Sequence, residues 1–227
     1  MSSQLLARKT GFLLTFEGLD GSGKTTQILR LITWLHGQGL DPLQTRQPGG
    51  TETGDRIRAL LLDSKSAGLS PHTELAMMFA DRAQAIQEVI APALQSGKLV
   101  LCDRFTDSTE AYQGSGRQLG SEIVLQLHNL LCNNLQPDLT ILLLPDLQAS
   151  LARARHRNNR QTGPDEGRFE QEQDAFFHRV YDGYRAIAAR EPLRVVAIEG
   201  DLTVEQVHAK VITEVGKRLR QAGILPT

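Results

Sequence analysis

The sequence predicts an α/β fold in which helices cover both faces of a five-stranded parallel sheet. Short apolar runs recur along its 227 residues, and longer stretches with helical spacing of apolar side chains separate them. Such alternation is typical of parallel sheets, because each connection between neighbouring strands needs a crossover helix. A glycine-rich segment between the first apolar run and the first helical stretch adds a phosphate-binding turn to this expectation.

The strands are predicted from short apolar runs, some of them rich in β-branched residues. Strands that helices cover on both faces are expected to be apolar along their whole length. The second run is the weakest of the set. The predicted strands cover residues 12–16, 42–45, 99–102, 139–144 and 193–198.

The helices are predicted from apolar side chains that recur every three or four residues. Ser70 followed by Pro71 is a helix cap with proline in the first turn, and Pro92 is expected to bend the end of that helix. The aromatic residues from Phe169 onward mark a later helix and are predicted to pack in the core. The predicted helices cover about 24–37, 51–62, 70–97, 121–135, 169–187 and 204–220.

The segment from Gly18 to Thr25 matches Gly-x-x-x-x-Gly-Lys-Ser/Thr, the phosphate-binding P-loop. Its glycines permit a tight turn, and the backbone N–H groups and the helix N-terminus favour an anion. Lys24 is expected to reach the outer phosphates of a nucleoside triphosphate, and the Thr25 hydroxyl is expected to bind Mg²⁺. We therefore expect a three-layer P-loop NTPase fold whose nucleotide site comprises Gly18, Leu19, Asp20, Gly21, Ser22, Gly23, Lys24, Thr25 and Thr26.

The composition argues against several classes of protein. A formal net charge of −1 does not suit a dedicated binder of nucleic acid or of membrane surfaces. Cys102 and Cys132 are too few for a disulfide framework and are expected to be buried thiols. No apolar run has the length of a signal peptide or a membrane span, and the six histidines show no metal-ligand spacing. A single cytoplasmic domain over residues 1–227 is expected.

A second group of polar residues follows the third predicted strand. Asp103 and Arg104 end that strand, and the carboxyl ends of parallel strands face the ligand crevice, so both side chains are expected beside the P-loop. Asp103 could hold Mg²⁺ directly or through water, and Arg104 could bind a second phosphate. The alternative is an Asp–Arg pair that merely caps a loop.

Other arginines are expected around the same crevice. Arg46 and Pro48 lie in the loop after the second strand, and Arg82 is unusually polar for its apolar helix, although a surface arginine with a buried stem would look the same. Residues 153–168 form an arginine-rich stretch at the end of a helix. It is predicted to be a flexible lid over the triphosphate, the alternative being a solvated basic surface.

Four further motifs follow the P-loop in a fixed order: Thr45-Arg46-x-Pro48-Gly49-Gly50-Thr51, Asp103-Arg104-Phe105, Ser108 through Tyr112-Gln113-Gly114, and Arg168-Phe169-Glu170. Together they resemble bacterial thymidylate kinase over about residues 11–200. The resemblance implies transfer of the γ-phosphoryl group of ATP to dTMP with Mg²⁺, on a five-stranded parallel sheet and in a homodimer. The small-molecule substrates would then be dTMP and ATP.

The resemblance also implies roles for single residues. Arg104 would bind the dTMP phosphate and Arg82 the thymine edge, while Phe79, or its neighbour Met78, would stack on the ring. Asp20 would contact the sugar 3′-hydroxyl and Tyr112 would crowd the 2′ position. The remaining residues expected at the substrate are Arg46, Pro48, Thr109, which would read the base, and Gln113 beside it.

The chain departs from the family pattern at three positions. Gln47 stands where many bacterial members have glutamate, and Gly167 stands where the lid usually has aspartate. Gly21 occupies a position at which some members carry a catalytic arginine, so an arginine of the lid is expected to supply that charge. The candidates are Arg153, Arg155, Arg157 and Arg160; with Lys24, Arg104 and Asp20, we take Arg153 and Arg157 as the catalytic residues.

Three other functions are compatible with parts of the sequence. Another nucleoside monophosphate or deoxynucleoside kinase would share the P-loop and the second phosphate site. A P-loop regulatory module would need neither that site nor the lid arginines, and no Asn-Lys-x-Asp guanine motif is present. A catalytically inactive homologue would be consistent with Gln47.

Overall fold

The computed structural model describes residues 10–66, 68–158, 168–169 and 172–226, apart from the side chains at 155, 157 and 158. Within them, five strands form one parallel sheet in the order β2-β3-β1-β4-β5. This confirms the predicted α/β fold. The strands are β1 (Phe12–Glu17), β2 (Leu43–Arg46), β3 (Leu99–Asp103), β4 (Leu139–Leu144) and β5 (Val195–Glu199).

Helices occupy each of the predicted stretches, one of them divided, and two further helices at Thr106–Thr109 and Leu147–Asn158 lie outside those stretches. The long third helix has a π-helical turn at Ile86–Ile90, just before Pro92, whose ring nitrogen cannot donate to the preceding turn. The helices are α1 (Lys24–Gly37), α2 (Glu52–Leu62), α3 (Pro71–Ala85), α4 (Ala91–Gln95), α5 (Thr106–Thr109), α6 (Ser121–Cys132), α7 (Leu147–Asn158), α8 (Asp174–Arg190) and α9 (Val204–Gln221).

The two faces of the sheet bury different helices. Successive side chains of a strand point to opposite faces, and Phe12, Leu14 and Phe16 of β1 share an apolar cluster with residues of α1 and α9. Leu13 belongs instead to a cluster with α3 and α6. Glu17 therefore projects from the end of β1 on the side of Leu13, toward the face on which the polar residues of the site gather.

Two segments differ from the sequence prediction. Phe169 precedes α8 rather than lying in it, although it still packs in the core, with its ring 5.6 Å from that of Tyr112. The segment after β3 is helical through α5 and a π-helical stretch at Glu110–Gly116, which no periodicity indicated. Its buried carboxylates are held by arginines from distant positions, as in the pair of Asp107 with Arg194 at 2.7 Å.

Two smaller observations concern the composition. Cys102 and Cys132 are free and buried, as predicted. Among residues 10–66, 68–158, 168–169 and 172–226, no helix combines the length and the apolar character that crossing a bilayer requires.

Candidate active site

The P-loop connects β1 to α1 through residues 18–23. Gly18 and Gly21 have φ angles of 132° and 76°, which favour glycine. A Cβ atom would lie 2.3 Å from the Leu143 carbonyl oxygen at Gly18 and 2.1 Å from the Ser150 carbonyl oxygen at Gly21. The loop therefore needs both glycines because the backbones of β4 and α7 approach it closely.

Lys24 is the first residue of α1 and its side chain is almost fully buried. Its Nζ atom donates hydrogen bonds to the carbonyl oxygens of Gly18 at 2.9 Å and Leu19 at 3.0 Å. Burial and the nearby positive charge of Arg104 lower the pKa of Lys24 to about 8. An anion bound beside this ammonium group would therefore be strongly favoured.

Arg104 directly follows β3 and has the unusual φ angle of 68° for a residue with a side chain. Its Nη1 atom donates to the Gly18 carbonyl oxygen at 2.9 Å, and its Nη2 atom pairs with Asp20 Oδ1 at 2.8 Å. Burial is the largest influence and opposes the charge, but Asp20, Tyr112, Tyr184 and Asp103 together outweigh it, and the pKa of Arg104 lies well above its ordinary value. Lys24 and Arg104 thus donate to the same carbonyl oxygen, which places the two predicted phosphate-binding cations side by side.

Glu17 helps to position Arg104 through hydrogen-bond partners that the two residues share. Its buried carboxylate accepts hydrogen bonds from Ser108 Oγ at 2.5 Å, from Tyr184 Oη at 3.1 Å and from the Phe105 backbone N–H at 2.7 Å. Ser108 and Tyr184 in turn accept from Arg104 Nη1. Burial, with a contribution from Asp107, raises the pKa of Glu17 to about 7. Sequence reasoning missed this residue; the only signal was a carboxylate at the end of an apolar strand.

Arg82 defines the other end of the site. It is 2% exposed, and it donates from Nε to Gln47 Oε1 and from Nη2 to Thr109 Oγ1, both at 2.8 Å. Burial lowers the pKa of Arg82. Its Nη1 atom has no hydrogen-bond partner among the described residues, and neither have Gln47 Nε2 and Gln113 Oε1. Buried polar atoms are normally paired, so these three atoms mark a place for a polar ligand.

Glu74 of α3 is fully buried beside this region. Its Oε1 atom accepts from Gln113 Nε2 at 2.8 Å. Its Oε2 atom pairs with Arg117 Nη2 at 3.1 Å and with Arg168 Nη1 at 2.8 Å. Arg168 also donates to the backbone carbonyl of Leu61. The Glu74 carboxylate therefore joins α3 to Gln113, Arg117 and Arg168, and Arg168 extends this contact to α2.

One cavity of about 900 Å³ connects the P-loop, Arg104 and Arg82. Its volume suits two nucleotide-sized ligands rather than one small anion. Its two ends differ chemically, because cations and backbone groups dominate at the P-loop while Met78, Phe105 and neutral amides lie near Arg82. The arrangement can hold two phosphate groups in contact and a base at a distance from them.

The thymidylate kinase family model matches residues 16–211 of the chain. The chain belongs to the thymidylate kinase family. The thymidylate kinases of Geobacter sulfurreducens and Pelobacter propionicus are 48% and 45% identical to it, over 88% and 90% of this chain and 94% of each relative. The crystal structure of thymidylate kinase from Ehrlichia chaffeensis matches with a TM-score of 0.71 and 33% identity, over 91% of this chain and 98% of that one.

The thymidylate kinase motifs come together at this cavity. Phe105, which site reasoning did not select, and Met78 also line it. Gly18, Leu19 and Ser22 do not, although the carbonyl oxygens of the first two hold Lys24. The predicted residues that line the cavity are Asp20, Gly21, Gly23, Lys24, Thr25, Thr26, Arg46, Pro48, Arg82, Asp103, Arg104, Thr109, Tyr112, Gln113 and Arg153.

Phe79 is the exception among the expected substrate residues. It is fully buried in the cluster between the sheet and helices α3 and α6, and it does not line the cavity. The Arg82 guanidinium lies over its ring, 5.1 Å from the centroid. Because Phe79 follows Met78 by one position on a helix, the two side chains point in different directions, and only Met78 reaches the cavity. Phe79 therefore packs against the Arg82 guanidinium outside the cavity.

The predicted lid, residues 153–168, is described only in part. Arg153 lies in α7 and donates from Nε to the Gly21 carbonyl oxygen at 2.7 Å, which brings a lid arginine to the P-loop. Arg157 also lies in α7, but its side chain is outside the described residues, as is that of Arg155. Arg160 and Gly167 fall in a stretch outside the described residues. Arg168 is the last residue of the predicted lid, and it is buried against Glu74.

Proposed function

We propose that this chain transfers the γ-phosphoryl group of ATP to dTMP and releases dTDP and ADP. The observation that carries the proposal is the pair of hydrogen bonds from Lys24 and Arg104 to the carbonyl oxygen of Gly18, each 2.9 Å long. Two cations so close together repel each other, and phosphate groups between them would offset that repulsion. Membership of the thymidylate kinase family supports dTMP as the acceptor.

In this proposal the P-loop amides and Lys24 hold the triphosphate, while Arg104 holds the phosphate of dTMP in line with it. The attacking oxygen belongs to a phosphate that is already ionised at neutral pH, so no general base is needed. Catalysis then rests on alignment and on neutralising charge in the transition state. Arg153 is the lid arginine that we propose for the transferring group, since it already contacts Gly21.

Mg²⁺ is expected to accompany ATP, and Asp103 and Thr25 are the residues that would hold it. Asp103 Oδ1 is a buried oxygen without a hydrogen-bond partner among the described residues, and both residues line the cavity. Carboxylate, hydroxyl and phosphate oxygens are the ligands that Mg²⁺ prefers. When bound, the ion would neutralise charge on the phosphate oxygens.

The base end of the cavity suits thymine. The edge of thymine presents the O4 acceptor and the N3–H donor, and the unpartnered atoms offer the matching Arg82 and Gln47 donors and the Gln113 acceptor. Met78 and Phe105 would cover the ring faces, in place of Phe79. Asp20 and Tyr112 lie between the two ends, where the deoxyribose would be. In this proposal Asp20 contacts the 3′-hydroxyl and Tyr112 crowds the 2′ position.

An acceptor screen tests the proposed function. With ATP and Mg²⁺, ADP release should be fastest with dTMP and at least about 100-fold slower in kcat/KM with dCMP or AMP, because mismatched donors would be left unpaired. The same assay with dUMP and thymidine covers the other acceptors that the sequence left open. Equal or faster turnover with CMP or AMP would indicate another nucleoside monophosphate kinase. ATP hydrolysis without any acceptor would instead support a regulatory NTPase.

We also propose that the chain forms a homodimer through α2, α3 and α6. These helices pack in that order, and their outer surface carries the exposed leucines Leu60, Leu125, Leu130 and Leu131. Such a concentration of exposed leucine is typical of an interface.

A single charge should disrupt this dimer. Leu130 is 74% exposed, and Leu130→Glu would bury a carboxylate in the interface and should give a monomer by light scattering at micromolar concentration. Leu193→Glu is the matched control, because Leu193 is 84% exposed but lies after α8. A dimer that persists in the first variant, or is lost equally in both, would refute this interface.

A further inference from the structure

We propose that Glu74 is a positioning residue that selects the base of the acceptor, by fixing which end of the Gln113 amide faces the cavity. This inference rests on the proposed function, because it concerns how the base of the acceptor is recognised. Glu74 does not line the cavity and would not touch a substrate, whereas Gln113 lines it. The Gln113 amide therefore lies between the Glu74 carboxylate on one side and the base position on the other.

The orientation of the amide follows from chemistry. An ionised carboxylate only accepts hydrogen bonds, so the partner of Glu74 Oε1 must be the NH₂ end of Gln113, at 2.8 Å. The carbonyl end, Gln113 Oε1, then has no partner among the described residues and is left for a ligand. Gln113 is fully buried, so this acceptor is shielded from bulk solvent. A base with an N–H donor at this position would satisfy it.

Two arginines form ion pairs with the Glu74 carboxylate. Arg168 Nη1 lies 2.8 Å and Arg117 Nη2 3.1 Å from Glu74 Oε2. Arg168 is itself nearly fully buried, so the pair is shielded from solvent. Both guanidinium groups contact Oε2, whereas Oε1 accepts from Gln113 Nε2 at 2.8 Å and, at the longer distance of 3.2 Å, from Arg117 Nε. The carboxylate therefore transmits a fixed polarity from the arginines to the amide.

This polarity distinguishes thymine from a cytosine-type base. Thymine carries a hydrogen at N3 and an oxygen at C4, whereas cytosine carries a lone pair at N3 and an amino group at C4. The Gln113 carbonyl accepts a hydrogen bond from the N3–H group of thymine. With cytosine it would face the N3 lone pair, so two acceptors would repel each other. The unpartnered Arg82 Nη1 donor likewise matches an oxygen but not an amino group.

Glu74→Gln gives a sharp test, with dTMP and 5-methyl-dCMP as acceptors because they differ only at this edge of the ring. The arginines would hold the oxygen of the new amide and turn its NH₂ group toward Gln113. Gln113 would then have to turn its carbonyl toward position 74 and its NH₂ group toward the base. We expect the ratio of kcat/KM for dTMP to that for 5-methyl-dCMP to fall about 10- to 100-fold, mainly through KM. The value for 5-methyl-dCMP itself should rise, which damage to the fold would not cause.

Glu110→Gln is the matched control. Glu110 is another buried glutamate with a bidentate arginine partner, Arg190, at 2.6 and 2.8 Å, and it does not line the cavity. This variant should leave the ratio unchanged even if its stability falls. The double variant Glu74→Gln/Gln113→Glu exchanges the two groups and keeps the net charge of the pair. It again presents only an acceptor to the base and should recover the preference for dTMP.

The outcomes separate this inference from the function on which it rests. A wild-type chain that does not phosphorylate dTMP would contradict the proposed function. An active wild type whose Glu74→Gln variant loses both activities equally, with the ratio unchanged, would overturn the role of Glu74 alone. If the single variant does not fold, the double variant decides, and a preference of that variant for 5-methyl-dCMP would overturn the inference.

Discussion

Replacing Arg104 with alanine is expected to lower kcat/KM for dTMP by about 10³-fold or more, the lower end of what an arginine contributes to phosphoryl transfer. In the proposed complex this guanidinium holds the acceptor phosphate, and its removal takes away both the charge and the alignment. The affinity for ATP should change little, because Lys24 and the P-loop amides remain. Steady-state kinetics with dTMP, together with isothermal titration of both nucleotides, would measure the two effects separately.

Two controls are needed for this experiment. Arg104 also contributes to the network around Glu17, so thermal unfolding should be followed in the same samples. Arg179→Ala is the matched variant, because Arg179 is a partly buried arginine that donates to the Gly116 carbonyl oxygen and does not line the cavity. It should keep normal kinetics. Undiminished dTMP affinity in folded Arg104→Ala would contradict the acceptor site.

Replacing Lys24 with methionine is expected to lower kcat by about 10²- to 10³-fold, as for the loss of one preorganised group that stabilises transition-state charge. Methionine is also unbranched and only one atom shorter, so the main loss is that of the charge and the hydrogen bonds. The matched control is Lys210→Met, since Lys210 is an exposed lysine of α9. A folded Lys24→Met variant with normal kcat would refute the role of this residue.

The pH dependence of ATP binding adds a second readout for Lys24. The pKa of this lysine in the free protein is lowered to about 8, chiefly by burial. Above that pH the Lys24 side chain is a neutral amine before ATP binds. Binding of ATP must then take up a proton, so the affinity for ATP should fall as pH rises through 8. Below it, the lysine should contribute no pH dependence. The fall above pH 8 should be absent in Lys24→Met.

The sheet could be predicted because its information is local. Except for β2, whose run was the weakest, each strand is a largely apolar run, and the observed strand ends differ from the predicted ones by at most two residues. The helical segment after β3 could not be predicted in this way. Its carboxylates, Asp107 and Glu110, look unsuited to a buried helix until Arg194 and Arg190 approach from 87 and 80 residues away. Only the folded chain brings such pairs together.

The site residues divide in the same way, into those that local sequence predicts and those that depend on distant partners. The P-loop and Arg104 were identified because motif spacing encodes them, and their placement at one carbonyl oxygen agrees with the rule for strand ends. Glu17 and Glu74 were missed, since a single glutamate in an apolar stretch carries no signal without its partners. Phe79 was selected from the family resemblance, with Met78 as the alternative, but the helical direction of its side chain, which a motif does not record, turns it away from the cavity.

The Gly18 carbonyl limits how this enzyme could change over evolutionary time. One peptide plane supports both Lys24 and Arg104, the cations that we propose for the donor and for the acceptor. A mutation that rotates this plane would displace both together, so affinity for the two nucleotides would fall in parallel. Adaptation to a new acceptor is therefore expected to proceed through the distant residues around the base, while the phosphate end stays fixed across lineages that differ in substrate.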